Sequence, residues 1–316
     1  MDKLTVTASP HERGETSTAK IMTDVIIALI PAMLASGFIF GGKALMLTGF
    51  CMISAMALER LCNLVMKRES SIGDLSAAVT GMLLAFNLPV TISYFHAFLG
   101  VFVAIVVAKQ LFGGLGHNFA NPAIVGRIVL MLSFPAAMTN WAVPFYDDKA
   151  IETGATPLVT EAATYKQLFI GNVGGCLGET CKAALLIGAL YLIARKVINP
   201  AAPLAFIAVV FCMSELTGRS GLYQILSGGL ILGAFFMATD YVTTPITTPG
   251  KIIFGIGCGI ITCVIRFYAS YPEGVSFSIL LMNIATPLID MATMKRSPVG
   301  KYIKKTKATE SEGAKV

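Results

Sequence analysis

The chain has 316 residues, of which 55% are hydrophobic and 13% are charged, and its mean hydropathy is +0.74. Soluble domains carry about 25% charged residues, so this composition excludes an ordinary soluble domain and predicts an all-α membrane protein. The formal net charge of +6 lies largely in loops and in the C-terminal tail, where basic residues set membrane orientation, so we expect no nucleic-acid partner.

Repeated apolar runs define the organisation of the chain, since a run of roughly 20 apolar residues crosses a bilayer core. Residues 1–21 are a polar cytoplasmic segment without the apolar core of a signal peptide, and residues 295–316 are a basic cytoplasmic tail. Between them we predict a first half, 22–139, a polar segment, 140–168, and a second half, 169–294. About ten spans can be drawn: 22–40, 44–66, 75–89, 92–111, 123–139, 169–194, 202–217, 222–240, 252–270 and 276–293.

Basic residues are distributed unevenly between the two sides of these spans. With both termini inside the cell, 17 of the 24 lysines and arginines fall on the cytoplasmic side, Lys109 and Arg127 among them. The opposite side holds four, namely Lys43, Lys149, Lys166 and Arg219. The positive-inside rule therefore predicts an N-in, C-in topology and places segment 140–168 outside the cytoplasm.

Five spans in each half predict that the second half is inverted relative to the first. Each half contains an apolar segment interrupted by proline, at 87–89 and at 240–245, and a polar turn before its last span. Paired interrupted helices in inverted halves are typical of transporters with a central site. Chance is the alternative explanation, because glycine and proline are common in membrane helices.

Segment 140–168 carries the tetrapeptide Thr153, Gly154, Ala155 and Thr156. Its small residues allow another molecule to approach both a hydroxyl and the main chain. Thr156 is therefore a candidate site for attachment of a ligand. The alternative is a capped turn, because Pro157 favours a helix start and threonine is a common N-cap.

A second candidate site lies before the fifth span, on the predicted cytoplasmic side, at Asn118 and Asn121. Residues three apart share a face if the segment is helical, and two amides offer both donors and acceptors to a ligand. The alternative is helix capping, which asparagine followed by Pro122 commonly performs. One asparagine could serve each role.

Charged residues at the edges of spans are costly and often functional. Asp240 ends the eighth span before a threonine-rich, proline-broken turn, where carbonyls and hydroxyls could coordinate a cation. Glu179 and Lys182, three apart, are expected to neutralise each other on one helix face. The seven cysteines lie in apolar runs and the three histidines are scattered, so we expect buried thiols and no metal site.

Five segments together resemble the D subunit of the Rnf complex, the ion-translocating ferredoxin:NAD oxidoreductase. The resemblance follows the chain in order over nearly its whole length, which makes the combination more specific than any single motif. The segments are Ser-Pro-His at 9–11, Gly-Gly-Leu-Gly-His-Asn-Phe-Ala-Asn-Pro-Ala at 113–123, Thr-Gly-Ala-Thr at 153–156, Phe-Met-Ala-Thr-Asp-Tyr-Val-Thr-Thr-Pro at 236–245 and Tyr-Pro-Glu-Gly-Val-Ser-Phe at 271–277.

The resemblance implies an electron-transfer subunit of a translocase in the cytoplasmic membrane, crossing it several times. Electron flow between ferredoxin and NAD would be coupled to movement of Na⁺ or H⁺, with other subunits of the complex as partners. It also implies flavin mononucleotide (FMN) attached to Thr156 as a phosphoester by a flavin transferase, and a non-covalent riboflavin at Asn118 and Asn121. Such flavins perform the redox chemistry, so we expect no catalytic side chains. Flavinylated tetrapeptides often have aspartate three residues earlier, and this chain has Ala150 there.

Two alternative functions are compatible with these patterns. The first is the B subunit of the sodium-translocating NADH:quinone reductase, the nearest sister family, which usually has a longer N-terminal region. The second is a plain secondary transporter with inverted repeats, in which Asp240 and the broken helices would bind a solute. Flavin content distinguishes the transporter from both flavoproteins.

Overall fold

A computed structural model describes residues 17–68, 72–145, 153–154, 156–160, 163–269 and 273–294. Motif 9–11, the tail 295–316, Ala155 and the first two residues of turn 271–274 lie outside these residues. The described part of the chain is helical, apart from one antiparallel ribbon of two residues per strand.

The first half begins with α1 after Ser17, whose hydroxyl accepts the Lys20 amide at 3.3 Å. Serine and asparagine side chains also cap the later helices α4 and α5, as expected for residues that accept main-chain N–H groups. The helices are α1, Thr18–Phe40; α2, Gly42–Val65; α3, Ser76–Phe86; α4, Tyr94–Phe102; α5, Pro122–Ser133; and α6, Pro135–Met138. A 3₁₀ turn, Ile72–Asp74, precedes α3, and a π-helical stretch, Val103–Gln110, continues α4.

The polar segment and the second half consist of shorter pieces. The ribbon strands are β1, Trp141–Ala142, and β2, Thr153–Gly154. The helices are α7, Pro157–Thr160; α8, Tyr165–Ile170; α9, Lys182–Ala194; α10, Ala201–Leu216; α11, Gly221–Leu226; α12, Leu230–Leu232; α13, Thr248–Tyr268; and α14, Val275–Thr293. A π-helical stretch, Gly233–Met237, continues α12.

Four described helices are long and apolar enough to cross a membrane, namely α1, α2, α13 and α14. They coincide with the first, second, ninth and tenth predicted spans. Five shorter apolar helices occupy other predicted spans: Ser76–Phe86, Tyr94–Gln110, Pro122–Ser133, Lys182–Ala194 and Ala201–Leu216. The third span ends at Asn87, as predicted from its Asn-Leu-Pro sequence.

Two segments predicted as continuous spans, 169–194 and 222–240, are interrupted. Gly171, with φ of 101°, ends α8, and a Cβ there would lie 2.9 Å from the Cys181 main chain. Gly228, with φ of 62°, separates α11 from α12. Positive φ is accessible to glycine at little cost, so the chain turns at both points. Apolar composition alone could not reveal these breaks.

The interruption between α8 and α9 meets the end of α3. The Leu177 amide donates to the Leu88 carbonyl and the Gly178 amide to the Phe86 carbonyl, both at 3.0 Å. A Cβ at Gly178 would lie 2.2 Å from the Phe86 ring, so the close approach requires glycine. These bonds satisfy main-chain groups that a broken helix leaves open in apolar surroundings.

Two basic residues assigned to the cytoplasmic side by sequence are buried inside the protein. Lys109 and Arg127 are each 2% exposed. Lys109 contacts Glu59 and Arg127 contacts Glu273, so neither is a loop charge of the kind on which the positive-inside rule rests, and their side of the membrane stays a prediction. The remaining cytoplasmic set still outnumbers the four basic residues on the opposite side.

Candidate functional site

The tetrapeptide lies partly in the ribbon. Gly154 pairs with Trp141, and Thr153 pairs with Ala142. Thr156 follows directly before α7 and is only 3% exposed. The sequence predicts this hydroxyl on a displayed polar loop, whereas the structure buries it against the second half.

Thr156 lines a small cavity of about 10 Å³, which has room for about one water molecule. Its wall combines the glycine-rich chain after α8 with the break between α11 and α12, and it includes Glu179, Lys182 and Gly228. The Tyr223 hydroxyl donates to the Pro157 carbonyl at 3.1 Å and holds the start of α7 on this wall. The candidate acceptor hydroxyl therefore lies beside a buried cation and a buried carboxylate.

Two buried cations hold the break at Gly228. The ammonium of Lys182 donates to the Gly228 carbonyl at 2.7 Å and also to the Glu179 carbonyl. Arg266 donates to the carbonyls of Gln224 and Ser227, at 2.7 and 3.2 Å. Cations at the C-terminal end of a helix complement its open carbonyls, which explains their position after α11.

Glu179 and Lys182 are neighbours in one cavity wall, but the expectation that they share a helix face is wrong. Glu179 lies in the irregular chain before α9, and Lys182 is directed to the main-chain carbonyl of Glu179. The Glu179 carboxylate instead accepts the Cys176 amide at 3.0 Å. The break that ends α8 removes the helical spacing on which the expectation depended.

A second group of buried charges lies next to the interruption between α8 and α9. Arg127 of α5 forms an ion pair with Glu273 and donates to the Asn87 amide oxygen at 2.5 Å. One ligand atom each from Cys176, Glu179 and Glu273 lies within 4.8 Å of the others. From the sequence, Cys176 was expected to be a buried thiol and 271–274 a polar turn. Their meeting in this cluster was therefore not predicted. The signal available in the sequence was an ionisable residue inside a predicted membrane span, because such residues need a buried partner.

Asn118 and Asn121 line one cleft of about 90 Å³. Asn121 caps α5, since its Oδ1 accepts the Ala123 amide at 3.1 Å, and its Nδ2 donates to the Met237 carbonyl at 3.3 Å. The Nδ2 of Asn118 donates to the Ala120 carbonyl at 3.0 Å. Capping is thus confirmed for Asn121, and both asparagines contribute to the wall of the cleft.

Both π-helical stretches border this cleft. The first contributes Lys109, whose ammonium lies 2.8 Å from the Glu59 carboxylate and 2.6 Å from the Ser76 hydroxyl. The second contributes the rings of Phe235 and Phe236. Such bulges occur frequently at functional sites, because they turn side chains away from regular helical positions.

Asp240 lies on the rim of the same cleft and is half-buried. Its Oδ2 accepts the Thr243 hydroxyl at 3.1 Å. Tyr241 beside it donates to the Val197 carbonyl, and burial raises the pKa of this phenol. The predicted ion-path candidate therefore shares a wall with the asparagines.

A chain of buried contacts links the cleft to the charged cluster. Met237 accepts the Asn121 side chain on its carbonyl and the Asn87 side chain on its sulfur, the latter at 3.4 Å. Asn87 in turn accepts from Arg127. Amides, aromatic residues and a lysine at one end suit a planar heteroaromatic ligand, whereas the other end combines buried cations with the carboxylates of Glu179 and Glu273.

Comparison with known proteins supports the resemblance. A model of the NQR2, RnfD, RnfE family matches residues 5–298. The D subunit of the Na⁺-translocating ferredoxin:NAD⁺ oxidoreductase complex of Acetobacterium woodii is 45% identical over 93% of this chain and 94% of its own length. The D subunit of the proton-translocating complex of Clostridium ljungdahlii is 41% identical over 92% and 94%. The D subunit of the ion-translocating oxidoreductase complex of Ectopseudomonas mendocina is 35% identical over the same shares.

The Arg127–Glu273 pair should be a major contributor to stability. Arg127→Met leaves a buried carboxylate without its cation, so we expect the free energy of unfolding to fall by about 3–5 kcal/mol. The double variant Arg127→Met, Glu273→Gln should recover part of that loss. Denaturant unfolding of the purified full-length protein measures both, with exposed Arg60→Met as a control that changes stability by less than about 0.5 kcal/mol. Equal losses in the single and double variants would contradict the coupling.

Proposed function

The chain belongs to the NQR2, RnfD, RnfE family, and we propose that it is the D subunit, within the membrane, of an ion-translocating ferredoxin:NAD oxidoreductase. This proposal rests on two features, the Thr-Gly-Ala-Thr segment and the cleft lined by asparagine side chains. A series of buried polar contacts connects the regions around them. The partners are the other subunits of the complex and a flavin transferase, and the location is the cytoplasmic membrane. The names of relatives include both a Na⁺- and a proton-translocating complex, so either ion fits the family.

We place ten spans across the membrane with both termini inside. The short helices α3, α4, α5, α9 and α10, with α11 and α12 together as one further span, would complete the set begun by the four long helices. The halves would be inverted, with α1–α5 opposed to the elements from α8 to α14. Under this topology Thr156 and Arg266 lie toward the outer face, and Asn118 and Asp240 lie toward the inner face.

Thr156 offers a hydroxyl for attachment of FMN through its phosphate. The cavity beside it, of about 10 Å³, is too small for the phosphate or the ring system and presents the Glu179 carboxylate next to Lys182, so the attached group would extend from the hydroxyl outside this cavity. The hydroxyl serves as an attachment point, and glycines 174, 175 and 228 keep side chains out of its surroundings. FMN bound here would supply one- and two-electron redox chemistry.

The residues of the asparagine cleft fit a flavin ring. Phe235 and Phe236 offer aromatic faces at the cleft, and the two amides offer donors and acceptors to a ring edge. Lys109, held by Glu59, adds a fixed positive charge at the cleft wall. These residues bind and orient the group and exclude water from it, and no covalent step is assigned to them.

Two rivals are separated from this proposal by measurable features. The sister quinone reductase protein would carry flavin and also bind quinone, so quinone-dependent turnover of the complex would favour it. A plain secondary transporter would purify without flavin. Yellow absorbance that survives denaturation supports a covalent flavoprotein and argues against the transporter.

Thr156 should carry FMN when the chain is expressed with its flavin transferase. Because the hydroxyl is buried, Thr156→Val is the suitable variant: it keeps the shape and removes the attachment point. We expect in-gel flavin fluorescence to disappear, with Thr156→Ser and Thr153→Val retaining it. Peptide mass spectrometry locates the group. Fluorescence that persists in Thr156→Val, with the mass on another threonine, would overturn this assignment.

The asparagines should differ in what they do. Asn118→Leu removes the amide without removing a helix cap, so we expect loss of extractable flavin at normal protein yield, while the covalent flavin remains fluorescent. Asn121→Leu should lose the same flavin and also about 1 kcal/mol of stability, because it caps α5. Extractable flavin per mole of purified protein gives the result. Unchanged flavin in both variants would exclude this cleft as the site.

The topology can be tested with reporter fusions along the full-length chain. We expect fusions after Lys67, Arg195 and Lys295 to report the cytoplasm and a fusion after Asp148 to report the outside, because basic residues concentrate on one side. A cytoplasmic report at Asp148 would place the Thr156 segment on the wrong side for this proposal.

A further inference from the structure

The candidate acceptor hydroxyl is enclosed in this conformation. Thr156 is 3% exposed, and the cavity that it lines has a volume of about 10 Å³, the space of about one water molecule. A phosphoester with its flavin contains many more atoms than this space holds. The hydroxyl therefore cannot carry the group while Thr156 stays in this position.

Attachment itself also requires an exposed hydroxyl. The Oγ of Thr156 would attack the phosphorus of an activated flavin, a diphosphate ester such as flavin adenine dinucleotide. The new Oγ–phosphorus bond forms as the diphosphate bond breaks, the nucleoside monophosphate leaves with the electron pair, and the hydroxyl proton passes to a base of the transferase. The reacting atoms must approach to about 3–3.5 Å. No transferase reaches that distance from a side chain that is buried against the second half of the protein.

Two contacts in the described part of the chain fix this buried position. The Tyr223 hydroxyl donates to the Pro157 carbonyl at 3.1 Å. Leu158 packs on the turn at Gly228, where an added Cβ would lie 2.8 Å from the Leu158 Cδ1 atom. Tyr223 belongs to α11 and Gly228 follows its end, so both contacts hold residues 156–158 on the α11–α12 break.

This acceptor segment, residues 156–158, belongs to short elements that can open locally. Helix α7, Pro157–Thr160, has four residues, and strand β2 before it has two. Short peripheral elements open at a small fraction of the free energy of global unfolding, because few contacts are broken. The acceptor segment can therefore leave the break while α11 stays in place.

We propose that Tyr223 holds the acceptor segment in a closed position, and that flavin attachment requires its release from the α11–α12 break and then maintains that release. This inference rests on the proposed covalent FMN. Once esterified, Thr156 no longer fits its cavity, so the acceptor segment stays open and Tyr223 loses the Pro157 carbonyl. The contact regulates when the acceptor is available, and a chain that has folded without flavin is a slow substrate for the transferase.

The rate of flavin incorporation into purified, unmodified full-length protein tests the closed position, with flavin transferase and flavin adenine dinucleotide added. Tyr223→Phe removes the hydroxyl and keeps the ring, so we expect incorporation about two- to tenfold faster than in wild type, as for the loss of one hydrogen bond. Leu158→Ala, which removes the side chain at Gly228, should also accelerate it. Tyr165→Phe is the matched control, because the Tyr165 ring lies beside Tyr223 while its hydroxyl contacts Ser220 at 3.0 Å, and its rate should equal that of wild type.

Main-chain hydrogen exchange over residues 156–160 tests the open state. We expect faster exchange in flavinylated than in unmodified wild-type protein, with exchange in α13 unchanged. Equal incorporation rates in wild type, Tyr223→Phe and Leu158→Ala, with the flavin mass on Thr156, would overturn the closed position alone, and so would equal exchange in both forms. Absence of flavin from Thr156 in wild-type protein co-expressed with its transferase would overturn the proposed covalent flavin together with this inference.

Discussion

Main-chain hydrogen bonding at broken helices is the constraint on which the rest of this structure depends. A helix that stops inside apolar surroundings leaves amides and carbonyls without water to satisfy them, so each break needs an internal partner. The chain meets this need by pairing breaks with each other, at Phe86 and Leu88 with Gly178 and Leu177. Where no second break is available, the long cationic side chains of Lys182 and Arg266 reach the open carbonyls.

Departures from regular α-helix create both candidate sites. The interruption after α8 and the one at Gly228 form the wall of the Thr156 cavity, and they bring buried cations to it because cations complete their hydrogen bonding. At the second candidate site, the π-helical stretches place Lys109, Phe235 and Phe236 in the wall of the asparagine cleft. The same polar side chains therefore complete the hydrogen bonding of the fold and line the candidate ligand sites.

The sequence was sufficient for features that depend on composition and local chemistry. The four long helices follow from apolar length, the end of α3 follows from its Asn-Leu-Pro sequence, and the cap at Asn121 follows from the asparagine–proline pair. The sequence was insufficient for features that are determined by contacts between distant segments. The breaks at Gly171 and Gly228, the burial of Thr156 and the meeting of Arg127 with Glu273 depend on packing between the two halves, which no local pattern encodes.

The pairing of breaks has a consequence for how the protein is made. Leu177 and Gly178 donate to carbonyls of residues synthesised nearly a hundred positions earlier, and their own neighbours cannot replace those acceptors. The connecting chain between α8 and α9 can therefore settle in the membrane only after α3 is already in place. We therefore expect the second half to depend on the first for these two hydrogen bonds. A gene split between the halves would yield a C-terminal fragment that depends on its N-terminal fragment for insertion.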